Sequence, residues 1–216
     1  MISKDPIFPY KNLFITARPG MGASTLVANI ANKYLEEGKR CLIFEATDHF
    51  LLTYNERFRI IKEDLDIDSL HPLFSENGNL TVAYNYFFES EALLTLVDKY
   101  DADVVVYEAS RYLRDQKKEL AELVEELKSR GKTFIFVTHI KRKRYPLMYI
   151  QRITPSASRH HKAIPYFDAT AIIYRDAYYR VGEENTEEIR IYEQGQKKYR
   201  AVPVEFDFQK QRISRK

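Results

Sequence analysis

The chain has 216 residues, of which 44% are hydrophobic and 30% charged, with seven Gly and eight Pro. That composition excludes a disordered or fibrous chain and suffices for one domain with its own core. A net charge of +3 is too small to name a partner, the single Cys41 excludes an internal disulfide, and no run approaches the ~18 apolar residues that span a bilayer.

Short apolar runs alternate with amphipathic stretches, the pattern of a parallel sheet with helices on its faces. Leu13–Thr16 is the first expected strand. A Gly-rich turn follows, then a helix over 24–37 whose apolar Leu26, Ile30 and Tyr34 recur every four residues, with Gly38 as its stop. Cys41–Glu45 is a second strand with a buried thiol, Phe50–Glu63 a helix, and 64–79, with Pro72, Asn77 and Gly78, an irregular connection. Leu80–Tyr84 reads as a strand and Ser90–Tyr100 as a helix. Asp103–Glu108 is a strand buried on both faces, because Val104, Val105 and Val106 show no polar alternation. A helix over 112–130 carries Leu113, Leu120, Val124 and Leu127 on one face and ends at Gly131. Thr133–Thr138 is another core strand, 139–165 a long basic connection, and Ala169–Tyr174, Glu188–Tyr192 and Ala201–Phe206 are strands that extend the sheet. With no internal repeat, linker or low-complexity tract, 1–216 reads as one domain. The opening Met-Ile-Ser-Lys-Asp-Pro has no apolar signal segment, so the expectation is a cytoplasmic protein without a membrane partner.

The first strand runs into Ala17-Arg18-Pro19-Gly20-Met21-Gly22-Ala23-Ser24-Thr25. A strand, a Gly-containing loop and a helix start form the setting in which backbone N–H groups converge on a phosphate, helped by the helix dipole. On the general Walker A pattern the match is incomplete: Ala17 stands for the first Gly and Ala23 for the Lys. The surrounding words are more specific. Ala-Arg-Pro-Gly-Met-Gly resembles the loop of DnaB-like replicative helicases, and Cys41–Phe44, Asp103–Glu108 and Phe134–Thr138 resemble that family's second, Walker B and sensor strands in the same order. Phe167–Tyr179, with its acid, apolar strand and Tyr-Arg-Asp, is the most specific match. The resemblance covers about residues 8–208, so the helicases' N-terminal domain, which helps organise the ring and bind primase, has no counterpart in it. It implies an α/β, RecA-like P-loop NTPase fold: a mostly parallel central sheet flanked by helices, with additional C-terminal strands.

The same resemblance implies a degenerate ATP site. The nucleotide-binding positions are Arg18, Gly20, Gly22, Ser24 and Thr25, and Mg²⁺ would be held at Ser24 and Glu108, the latter one methylene longer than the family's Asp. The phosphate-neutralising Lys is Ala23, the water-polarising Glu is Thr47 with Glu45 and Asp48 beside it, and the sensor Gln is His139. The Lys-Gln-Arg triplet that reaches into a neighbouring subunit is Glu193-Gln194-Gly195. An arginine finger contributes roughly three to five orders of magnitude in rate. These losses together imply a pseudo-ATPase that holds ATP and Mg²⁺ weakly through backbone donors. Arg18, or one of Lys197, Lys198 and Arg200, is the alternative source of the missing cation.

From Lys141 to Lys162 there are seven cations, Lys141, Arg142, Lys143, Arg144, Arg152, Arg159 and Lys162, and no acid. The helicases place single-strand-binding loops in this region, and Tyr145, Tyr149 and His160 suit occasional base stacking. Single-stranded DNA is the expected partner, together with a DnaB-type helicase or copies of the chain in a ring or dimer. His139, His160 and His161 lack further ligands at metal spacing, so no metal site besides Mg²⁺ is expected. Three readings stay open: a non-hydrolysing nucleic-acid-binding or helicase-associated factor in DNA replication, an active DNA-dependent ATPase or helicase with a deviant loop, and a protein scaffold that does not bind DNA.

Overall fold

The computed structural model describes residues 9–17, 20–46, 54, 57, 74–84, 90–109, 117–139, 166–175, 187–196 and 198–216. Their strands are β1 (Asn12–Ala17), β2 (Cys41–Ala46), β3 (Phe74–Asn77), β4 (Leu80–Tyr84), β5 (Val104–Ala109), β6 (Thr133–His139), β7 (Ala169–Arg175), β8 (Glu187–Glu193), β9 (Arg200–Asp207) and β10 (Arg212–Arg215). The described helices are α1 (Ala23–Glu36), α2 (Ser90–Tyr100) and α3 (Lys117–Ser129).

The strands form one sheet in the order β10-β9-β8-β7-β1-β6-β5-β2-β4-β3. From β7 to β4 all pairs are parallel. β3 is antiparallel at one edge, and β8, β9 and β10 continue antiparallel from β7 at the other.

Strand alternation divides the core into two layers. Leu13, Ile15, Ile43, Val106 and Val137 face α1, whose Leu26, Val27, Ala28 and Ala31 cover them. Phe14, Phe134, Phe136 and Tyr107 point the other way, against Leu93 and Val97 of α2 and Leu120, Leu123, Val124 and Leu127 of α3. Phe14 and Phe136 lie 5.7 Å apart and Phe14 and Phe167 5.5 Å, so this second layer is built largely of aromatic rings. Central strands are covered on both faces, which explains the unbroken Val104–Val106 run. β9 leaves the helical cover and alternates buried Val202, Val204 and Phe206 with exposed neighbours.

Helix ends follow local chemistry. Lys39 N–H bonds Tyr34 C=O at 2.9 Å and Gly38 N–H bonds Leu35 C=O at 3.0 Å, the paired closure that satisfies the last carbonyls of a helix. Lys132 to Leu127 and Gly131 to Lys128 repeat it after α3.

Two expectations need correction. Phe74–Asn77, expected to be irregular, is a strand that pairs with β4 across the Gly78-Asn79 turn. Phe-Ser-Glu-Asn has no alternating apolar pattern, so the hairpin and the open edge of β4 make the strand, not its own propensity. Arg212–Arg215 adds a strand that one apolar residue, Ile213, could not announce. The helix expected over 112–130 is described from Lys117 to Ser129, and 112–116 lie outside the described residues. So does 50–63 apart from Tyr54 and Arg57, both helical.

Candidate phosphate site

In parallel sheets, loops at the carboxyl ends of the strands build the ligand site. β1 ends at Ala17, and the chain turns into α1 through Gly20 and Gly22, with φ of 81° and 99°. Gly22 is the N-cap, and its carbonyl accepts the first helical bond, from Leu26 N–H at 2.9 Å. No side chain caps α1 and no acid stands in its first turn, so its leading N–H groups have no intrahelical acceptor. Ala23, where a Lys would neutralise phosphate, is a methyl group only 3% exposed. Arg18 lies outside the described residues.

Gly22 is needed for two reasons. An L side chain is strained at this φ, and an added Cβ would sit 2.6 Å from Phe206 Cε1 and 3.2 Å from Phe208 Cε1. These two rings stack at 5.6 Å, and the Arg175 guanidinium lies over Phe208 at 4.5 Å. Arg175 also pairs with Glu187 at 2.7 Å, and Glu187 Oε2 accepts from Phe206 N–H. Gly22→Ala is therefore expected to cost about 2–3 kcal/mol, from left-handed strain plus overpacking. A denaturant midpoint equal to the parent's would contradict this.

Glu108, at the end of β5 and 1% exposed, is the centre of the described site. Its Oε1 accepts from Ser24 Oγ–H at 2.9 Å and from His139 Nε2 at 2.8 Å, and its Oε2 accepts from Tyr54 O–H. Donation by a neutral His139 requires the proton on Nε2, which leaves Nδ1 buried without a partner. Burial pushes the Glu108 pKa upward, but hydrogen bonds from His139, Tyr54 and Ser24, together with the charge on a protonated His139, hold it below its ordinary 4.5. Burial first, then the neighbouring carboxylate, pushes the Tyr54 hydroxyl well up, so it stays a donor. Glu45 lies beside Glu108 in register on β2, and its Oε2 accepts from Tyr54 N–H at 3.4 Å.

Thr25 Oγ1–H donates to Gln211 Oε1 at 2.9 Å, and Arg57 Nη1 lies 3.1 Å from Thr25 Oγ1. Asn29 bonds the Gln211 carbonyl at 2.8 Å, tying the β9–β10 turn to α1.

Of the sequence-derived positions, Gly20, Gly22, Ala23, Ser24, Thr25, Glu108 and His139 gather at this carboxyl edge. Thr47, Arg18, the cations between Lys141 and Lys162, and His160 and His161 lie outside the described residues. Glu193, Gln194 and Gly195 sit at the opposite, amino edge, because β8 runs against β7. Glu193 there accepts a 2.7 Å bond from Tyr10 O–H. Lys198 and Arg200 lie at that edge too, a strand length of roughly 20 Å from the phosphate loop. They are therefore corrected as sources of the missing cation within the same chain, and Lys197 is outside the described residues. Tyr54, Arg57, Arg175, Phe206, Phe208 and Gln211 were not foreseen, since each reaches the site through tertiary packing. Among the described residues no cluster of His, Cys, Asp or Glu could hold a metal by itself, and no helix is long and apolar enough to cross a membrane.

A strand-loop-helix phosphate motif on a mostly parallel sheet, extended by antiparallel C-terminal strands, defines a RecA-like P-loop domain. Solved structures agree at the level of fold. The ATPase domain of a DnaB helicase matches with a TM-score of 0.67 at 14% identity, over 94% of this chain and 84% of that one. A KaiC-like protein from the hyperthermophilic archaeon Pyrococcus horikoshii matches with a TM-score of 0.65 at 14% identity, over 97% and 91%. No protein-family profile and no curated protein sequence matches the chain. The RecA-like fold implied by the DnaB-like resemblance is thus the fold observed.

Proposed function

We propose that this chain is a non-motor, RecA-like domain that holds a nucleotide's phosphates weakly on residues 17–25, does not turn them over, and associates with nucleic acid or a DnaB-type helicase in DNA replication. One observation supports this above the others: a methyl group replaces the phosphate cation at Ala23, while Glu108 is engaged by Ser24, Tyr54 and His139. A carboxylate so held orders the site, but three of its roughly four lone-pair positions are already taken. Ser24 donates its proton to Glu108, which leaves its oxygen lone pairs for a cation, so Ser24 and Glu108 suit Mg²⁺ arriving with a triphosphate. The metal would supply charge neutralisation there. Loss of the Lys, the water-polarising Glu and the finger removes parts that act cooperatively in phosphoryl transfer. The deciding experiment is nucleotide titration and hydrolysis on the purified protein, with and without single-stranded DNA. Sustained turnover would instead establish the deviant ATPase or helicase.

Nucleic-acid association rests on the segment from Lys141 to Lys162. Each cation that meets a phosphate releases a counterion, so affinity for single-stranded DNA should fall with salt at a log–log slope of roughly −0.7 per contact. Replacing Arg142, Lys143 and Arg144 with Ala is expected to weaken binding and flatten that slope by about two units. Fluorescence anisotropy across a salt series measures both. Equal affinity and slope in parent and variant would leave the scaffold reading in its place.

A further inference from the structure

We propose that Arg57 supplies the cation missing at Ala23, seating a phosphate oxygen of a bound nucleotide beside the first turn of α1. The inference rests on the phosphate-loop reading above and adds the residue that would make it work electrostatically.

Arg57 follows β2 in the chain, one helical turn after Tyr54, whose hydroxyl reaches Glu108. The same turn of helix thus brings one side chain to the acid of the site and the next to the phosphate loop. Its Nη1 bonds Thr25 Oγ1 at 3.1 Å and the side-chain oxygen of Gln211. Both partners are neutral, and among the described residues no carboxylate pairs with this guanidinium. Its Nε is buried without an acceptor, and no bond from Nη2 is present among the described residues. Arginine is always charged, and its Nε/Nη2 edge is a planar fork that matches two oxygens of a phosphate. A half-buried, unpaired cation with an unused fork costs free energy that a bound anion would recover.

The neighbourhood fits an anion. The leading N–H groups of α1 have no side-chain cap and no acid near them, and Thr25 stands directly after Ser24. The other nearby cation, Arg175, is paired with Glu187 and stacked on Phe208. Lys198 and Arg200 are at the far edge of the sheet. Among the described cations, Arg57 is the one both adjacent to the loop and without a counter-charge.

Isothermal titration of the full chain with pyrophosphate, ADP and adenosine tests the assignment. Parent protein is expected to bind pyrophosphate and ADP, and Arg57→Gln to bind both about tenfold to a hundredfold more weakly, the range for a hydrogen bond to a charged group. The salt dependence of pyrophosphate affinity should also flatten in Arg57→Gln and persist in Arg57→Lys, a response that lost packing alone would not produce. A second measurement needs no variant: pyrophosphate, but not adenosine, should protect Arg57 from phenylglyoxal, read by peptide mass spectrometry. Parent binding of pyrophosphate with Arg57 unprotected, or with unchanged affinity in Arg57→Gln, would overturn the role of Arg57 and leave the phosphate loop standing. Absence of any pyrophosphate or ADP binding by the parent would overturn the phosphate loop itself, and Arg57 with it.

Discussion

Glu108→Ala is expected to lower the unfolding free energy by about 3–5 kcal/mol, the range for removing one partner from a buried, charge-bearing network. The loss of the carboxylate itself is the smaller part. Ser24 Oγ, His139 Nε2 and Tyr54 O–H all donate to it, and alanine leaves them in a pocket with nothing to accept. Glu108→Gln should cost less, because its amide oxygen can still accept from Ser24 and His139 while only the Tyr54 contact must reverse. Acidity supplies an independent check. The folded-state pKa lies below the ordinary 4.5, so as pH falls the unfolded chain takes up the proton first. The network's contribution is complete above that ordinary value and is lost as pH falls through the lowered one. Denaturant melts between neutral pH and about pH 3 should therefore show the parent losing stability that Glu108→Ala lacks already. Parallel curves for the two proteins would mean that the Glu108 charge contributes nothing to the fold.

Ala23→Lys is expected to tighten nucleotide binding without restoring hydrolysis. Returning a cation to the loop strengthens attraction for a polyanion, but Thr47 cannot polarise water as a Glu would. Position 193 carries an acid already bonded to Tyr10, at the sheet edge opposite the loop. An absent arginine finger alone removes roughly three to five orders of magnitude in rate. A phosphate-release assay with saturating ATP and single-stranded DNA reads the outcome. Turnover on the order of 1–100 s⁻¹, the range of competent phosphoryl-transfer enzymes, would show that other residues fill the vacant roles.

The contrast between Tyr54 and Ser24 shows how far the sequence reaches into this site. Ser24 belongs to a local pattern of strand, Gly-containing turn and helix start, and its partner Glu108 ends a run of apolar strand residues; both positions follow from neighbours in the chain. Tyr54 lies in a stretch expected to be helical, yet nothing near it says that its hydroxyl closes on a carboxylate 54 residues away. Arg57, Arg175 and Gln211 have the same character. Each looks like an ordinary polar or charged residue until β-sheet order brings it to the carboxyl edge. Conversely, Lys198 and Arg200 looked available to the loop because sequence carries no edge, and the reversal of β8 against β7 sends them to the other side.

By itself the sequence determined the parallel α/β core, the position of the phosphate turn, the buried strands and the loss of the Lys at Ala23, because period, Gly placement and residue type act over a few neighbouring residues. The β3 and β10 edge strands, the Phe206–Phe208 stack on Gly22 and the donors around Glu108 were decided only by tertiary structure. Their partners are far apart along the chain, and a hydrogen bond or ring contact exists only once the sheet has set which strand ends share an edge.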